Sequence, residues 1–201
     1  MSSPPGNLGE ALGGPWGIAE SSLPAVAFVV AYTATGQDTA ASAAIAIGLA
    51  LVFAVARLIR RETPWRALSG VFGVAICAFV AIKSGEARNF FLPGLLLNAA
   101  YATAFAVSAL IRRPLVGYVV AQLEGDGMTV DPERRRAFLL ATWMWAGLFT
   151  ARLAVQLPLY LADATVTLGV ARTAMGIPLF AVGLVLSYLL VRGPEARRTR
   201  K

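Results

Sequence analysis

Residues 39–58 read TAASAAIAIGLALVFAVARL, and from Thr39 to Ala56 no side chain is charged. An α-helix rises 1.5 Å per residue, so about 20 apolar residues match the hydrocarbon thickness of a bilayer. Ala40, Ala44 and Gly48 fall at i, i+4 and i+8. One face of this helix is therefore expected to let a neighbouring helix approach closely. Arg57, Arg60, Arg61 and Arg66 then end the apolar run.

Similar runs lie on both sides. The chain has 201 residues, 57% hydrophobic and only 14% charged, against roughly 25% charged in an ordinary soluble domain. The reading is an all-α integral membrane protein with six transmembrane helices, over residues 22–35, 39–58, 67–82, 92–111, 137–161 and 166–191. Residues 1–19 are Gly- and Pro-rich and read as a flexible or interfacial tail. Residues 20–192 form one transmembrane domain, and 193–201 a basic tail. The segment 115–123 is apolar but too short to span, which fits an interfacial helix. Pro24 falls in a first helical turn, where proline is tolerated, and Pro178 predicts a kink in the sixth span. Asp131 is placed to cap a helix beginning at Pro132.

The charges give an orientation. Of 18 Lys and Arg, 14 fall in two loops and the C-terminal tail on one side of this topology; Lys83, Arg88, Arg152 and Arg172 are the others. The positive-inside bias makes the rich side cytoplasmic. Six spans then place both termini there. The net charge of +7 is thereby explained without nucleic acid as a partner. The first twenty residues contain no Lys or Arg, so no signal peptide is read.

Phe53-Ala54-Val55-Ala56-Arg57-Leu58-Ile59-Arg60-Arg61 recurs as Phe105-Ala106-Val107-Ser108-Ala109-Leu110-Ile111-Arg112-Arg113, with seven of nine positions identical. Phe180-Ala181-Val182 begins a weaker third copy. Three helical hairpins of one design, as parallel internal repeats, are the expected architecture.

The chain has no histidine. That removes histidine-based metal sites and a Ser-His-Asp triad. Its one cysteine, Cys77, lies in an apolar stretch and reads as a small buried hydrophobe. Gly13-Gly14-Pro15-Trp16-Gly17 is no phosphate loop, because no Gly-Lys-Ser/Thr follows. No cofactor is expected. Without histidine or paired catalytic carboxylates, an enzyme is not the expectation either.

Ionisable groups at membrane depth are the best pointers to function in such a chain. Arg152 lies roughly 22 Å into the fifth span, and Arg152, Gln156 and Tyr160 share one helix face at i, i+4 and i+8. Arg172 and Arg88 lie near the same membrane surface, so three arginines could line an outer vestibule for a small anion. The competing reading pairs them internally with Asp163, Glu86 or Asp38. Glu20, before the first span, could carry protons or cations, or cap a helix start. Pro93-Gly94 and Gly176-Ile177-Pro178 could interrupt helices, either at a binding site or for packing. Trp143, Trp145 and Phe149 read as core packing or lipid contact.

Taken together, Gly13–Gly17, Glu20-Ser21-Ser22-Leu23-Pro24, Arg88 with Phe91-Leu92-Pro93-Gly94, Arg113–Gly117, and Arg152 with Gln156–Tyr160 resemble the actinobacterial membrane family called domain of unknown function 3159. The resemblance extends from about Leu8 to Val191. A looser similarity is to the intracellular septation protein A family. The first resemblance implies a plasma-membrane protein, supplies no activity, and marks Glu20, Arg88, Arg152 and Tyr160 as belonging to the family pattern. Two functions follow as expectations. One is a small ion or solute channel or transporter with an arginine-lined outer cavity, with a homo-oligomer as the expected assembly. The other is a non-transporting membrane scaffold in envelope biogenesis or division. A transporter should show Arg152 facing a hydrated cavity with no carboxylate within salt-bridge reach, and a scaffold should pair every intramembrane charge and leave no continuous cavity.

Overall fold

A computed structural model describes residues 14–61, 64–124 and 132–198, in which all regular structure is helical. The helices are α1 (Gly14–Ala34), α2 (Thr39–Ile59), α3 (Pro64–Ser84), a 3-10 turn (Ala87–Phe90), α4 (Leu92–Leu110), α5 (Leu115–Glu124), α6 (Pro132–Leu161), α7 (Thr165–Ala174) and α8 (Ile177–Arg198). Among the described residues five stretches are long and apolar enough to cross a membrane: Thr39–Ile59, Ala67–Ser84, Leu92–Leu110, Arg135–Leu161 and Thr165–Val191. The described apolar part of α1 is the shorter Ser22–Ala34. Many large apolar side chains face outward, Val52, Phe72, Phe79, Leu96 and Leu189 among them. Water would penalise that surface and a bilayer does not.

The chain divides into two compact units. The first comprises Met1–Pro93 and Leu159–Thr173. In it α2 packs against both α1 and α3. Asp38 starts α2, its Oδ1 accepting from the backbone N–H of Ala40 at 2.9 Å and of Ala41 at 3.0 Å. The packed small-residue face of α2 is Ala43, Ala46, Ala50 and Ala54. Ala40, Ala44 and Gly48, expected to form that face, are exposed. The alanine-rich sequence offers two such stripes, and only the tertiary partners choose between them. Phe28, fully buried, stacks on Phe90 at 4.0 Å and meets Phe91 edge-on at 6.0 Å. Leu168 closes this core. Pro24 lies well inside α1 rather than in a first turn, because the helix already begins at Gly14.

The second unit comprises Gly94–Pro158 and Ala174–Lys201. Its core gathers Ala102, Val116, Phe138, Ala141, Trp145, Leu148 and Phe149. Trp145 is buried, and its indole N–H donates to Ser187 Oγ at 2.8 Å, which satisfies its one polar atom. Trp143, by contrast, is exposed. Helix α5 coincides with the short apolar segment expected at an interface. The residue Asp131 lies outside the described residues.

The stretch Thr165–Val191 is interrupted where the sequence places Gly176 and Pro178. Helix α7 ends at Ala174 and α8 begins at Ile177. Proline has no N–H for the carbonyl four residues back, and its ring crowds that carbonyl. For Pro178 that carbonyl belongs to Ala174, the last residue of α7. The two copies of the nine-residue repeat both end a helix, but not identically. The left-handed residue that closes the first is Arg61 (φ 59°) and the second Arg112 (φ 56°), one position apart in the alignment.

Candidate functional site

The polar side chains of the first unit converge around the 3-10 turn that follows α3. Gly85 (φ 72°) permits the sharp exit from that helix. The turn then aims Arg88 at Glu86: Nη2 lies 2.9 Å and Nε 3.0 Å from Glu86 Oε2. Arg88 Nε is also 3.7 Å from Asp163 Oδ1. Its Nη1 donates to the Tyr160 carbonyl at 3.4 Å, and its guanidinium lies 5.4 Å from the centre of the Tyr160 ring. Asn89 joins both sides of this network. Its Nδ2 donates to Glu86 Oε2 at 3.2 Å, and its Oδ1 accepts from the Tyr160 hydroxyl at 2.5 Å. The hydrogen bond to Glu86 holds the Arg88 guanidinium above its ordinary pKa, against a smaller opposing effect of desolvation. Arg88 is thus a neutralised, structural cation.

Asp163 reaches this network because α6 ends in a left-handed turn. Ala164 N–H donates to the Leu159 carbonyl at 3.0 Å and Asp163 N–H to the Tyr160 carbonyl at 3.2 Å, with Asp163 at φ 55°. This is the closure that usually takes glycine, and Asp and Asn tolerate it best among the other residues.

Arg172 stands in a different situation. It lies seven residues into the apolar stretch Thr165–Val191, about 10 Å along the helix. Its Nη1 donates to the Phe91 carbonyl at 3.3 Å, and its guanidinium lies 5.7 Å from the Phe91 ring centre. The three acids expected to neutralise it are engaged elsewhere. Glu86 and Asp163 face Arg88, and Asp38 caps α2. Among the described residues no carboxylate lies within 4.0 Å of Arg172. A guanidinium has five N–H donors, and one hydrogen bond from Arg172 is present among the described residues.

In the second unit Arg152 Nη2 donates to the carbonyls of Met175 and Gly176, each at 2.5 Å. These are the carbonyls of the interruption before α8. Arg152 therefore fastens a broken helix. Gln156 is buried in α6 one turn further on. The stripe of Arg152, Gln156 and Tyr160 lies along one continuous helix, yet its ends serve different partners: Tyr160 holds Arg88 and Asn89, and Arg152 holds Met175 and Gly176. Arg88 and Arg152 each have hydrogen-bond partners within their own unit. The side chain of Glu20 lies outside the described residues. Among the described residues no group of three or more His, Cys, Asp or Glu side chains could hold a metal ion.

Sequence reasoning missed Asn89 and Gly169. Asn89 sits between two aromatic and charged neighbours with nothing in its spacing to distinguish it. Gly169 looked like one more small residue, but a Cβ there would lie 2.2 Å from Val29 Cγ2 and 3.2 Å from Phe91 Cζ. It is the glycine that lets α7 reach α1 and Phe91, and so sets the place of Arg172 one turn later.

The chain matches, over residues 12–198, a family model described as "Protein of unknown function (DUF3159)". No curated protein and no solved structure matches it.

Proposed function

Because this chain belongs to the family of proteins of unknown function DUF3159, and its apolar helices mark it as a multi-pass membrane protein, we propose a role for it in moving a small anion across the membrane, as a channel or transporter. The observation that carries this reading is Arg172, a cation in an apolar stretch with no carboxylate within 4.0 Å among the described residues. A charge at membrane depth is expensive, and such groups usually mark a substrate or ion path. Arginine suits carboxylate, phosphate and smaller anions through its fixed fork of donors. Arg88 is the positioning residue for the turn that brings Phe91 to Arg172. Arg152 holds the interruption that precedes α8.

The topology that goes with this function has six spans and both termini in the cytoplasm of a bacterial plasma membrane. The 21 residues of α1 rise about 32 Å as a helix, enough for a sixth crossing. Three hairpins of related design would then pack in each protomer. The exposed small-residue stripe Ala40, Ala44 and Gly48 of α2 favours a homo-oligomer, and no enzymatic step is part of the proposal. Glu20 is the inner-mouth residue of this reading.

The test is flux from proteoliposomes. Chloride or nitrate release above empty liposomes is expected for the parent chain. Arg172→Gln should reduce it by tenfold or more, since losing about 1.4 kcal/mol of anion stabilisation is a factor of ten. Arg172→Lys, which keeps the charge, should retain a part, and Glu20→Gln should alter the rate without abolishing it. Absence of flux for every ion tried, with folded and inserted protein, would reject the transport reading. A second reading, the non-transporting scaffold of envelope biogenesis or division, draws support from Arg88 and Arg152, both engaged with the protein's own groups. It expects no flux from the parent chain.

A further inference from the structure

The second unit gathers three exposed arginines at the turn between α4 and α5. Arg112 and Arg113 lie in the turn itself, and Arg135 Nη2 reaches back from α6 to donate to the Arg112 carbonyl at 3.1 Å. Among the described residues none of the three makes an ion pair.

The turn is rigid. Arg113 N–H donates to the Ser108 carbonyl at 2.9 Å and Arg112 N–H to the Ala109 carbonyl at 3.0 Å. Buried Ser108 ties both strands of the turn together, its Oγ donating to the Arg113 carbonyl and accepting from Leu115 N–H at 2.9 Å. This is the helix closure in which the left-handed residue is usually glycine. Here it is Arg112, at φ 56°.

Beside the arginines, α5 anchors Val116 in the core and exposes Tyr118 and Val119. Tyrosine prefers the boundary between headgroups and acyl chains. A positive, donor-rich cluster next to an apolar interfacial flank complements one kind of molecule. We propose that Arg112, Arg113 and Arg135, with the exposed flank of α5, form a binding site for the phosphate-bearing headgroup of an anionic phospholipid. The arginines take the phosphate through charge-assisted hydrogen bonds, and Tyr118 and Val119 lie against the chains. This site is independent of anion passage at Arg172.

Native mass spectrometry of the full chain in detergent, titrated separately with phosphatidylglycerol and phosphatidylcholine, tests it. Phosphatidylglycerol is expected to be retained preferentially. Arg112→Gly, which suits the left-handed backbone and so keeps the fold, should weaken that retention about fivefold, as should Arg135→Gln. Neither should change phosphatidylcholine binding, and Lys83→Gln, an exposed cation of the first unit, should change nothing. Equal retention of the two lipids, no effect of Arg112→Gly, an equal effect of Lys83→Gln, or displacement of phosphatidylglycerol by equimolar inorganic phosphate would each overturn the assignment.

Discussion

Gly169→Leu is expected to abolish folding of the first unit, and Gly169→Ala to destabilise it by about 1–3 kcal/mol, the usual range for overpacking a tight interior. A Cβ at residue 169 would meet Val29 Cγ2 at 2.2 Å, far inside van der Waals contact. Val29 has little freedom to turn away, because a β-branched side chain in a helix has one strongly preferred rotamer. Phe91, the next neighbour, is fixed by its edge-on contacts with Phe28 at 6.0 Å and Phe90 at 5.4 Å. Helix α7 would have to move away from α1, and Arg172 would move with it. Thermal unfolding in detergent, followed alongside size-exclusion profiles, checks this. A Gly169→Ala protein with the parent's midpoint would show that α7 does not depend on this close approach. Gly48 offers the internal comparison, since nothing lies within 4 Å of a Cβ there, and Gly48→Ala is expected to be neutral or slightly stabilising through helix propensity.

The second large effect concerns Arg152. Removing its donors leaves the carbonyls of Met175 and Gly176 without their charged partner, and hydrogen bonds to charged groups contribute about 1.5–3 kcal/mol each. Part of that loss is offset, because a charge no longer has to be desolvated. Arg152→Leu should therefore destabilise the chain by about 2 kcal/mol. The informative experiment is its combination with Pro178→Ala. An alanine at 178 restores an N–H for the Ala174 carbonyl and removes the ring that crowds it. If Arg152 serves to fasten the break, the double variant should recover much of the loss, with a coupling of about 1 kcal/mol between the two sites. Strictly additive effects in thermal unfolding would detach Arg152 from the interruption.

Much of the membrane architecture was legible because it rests on composition and length. Uncharged runs such as Thr39–Ala56 had one physical destination, and Pro178 announced a break that the helices place two to four residues earlier. The local pair Glu86 and Arg88 was equally open to reading, being two residues apart in a turn. What the sequence concealed were choices made by distant partners. Nothing near Gly169 reveals that Val29, 140 residues away, fills its missing side chain. The stripe Ala43, Ala46, Ala50 and Ala54 and the stripe Ala40, Ala44 and Gly48 are chemically alike, and only the packing of α1 and α3 selects the first. The arginines show the same limit. Three acids were available to neutralise them, and which arginine went without depended on Asp38 capping a helix and on Tyr160 and Asp163 closing around Arg88. All three arginines hydrogen-bond to the protein's own groups, and what distinguishes Arg88 is its carboxylate partners, which Arg172 lacks among the described residues.

That leaves the charge of Arg172 as the centre of the functional proposal, and a heavy halide reports on it most directly. Crystals of the full chain grown or soaked in bromide should give an anomalous peak within hydrogen-bonding distance of the Arg172 guanidinium, beside Phe91, and Arg172→Gln crystals should lose that peak while keeping any others. A parent structure in which Arg172 has no bromide and is bridged instead by a carboxylate would contradict the account, because the charge would then be balanced within the protein and free to take no anion.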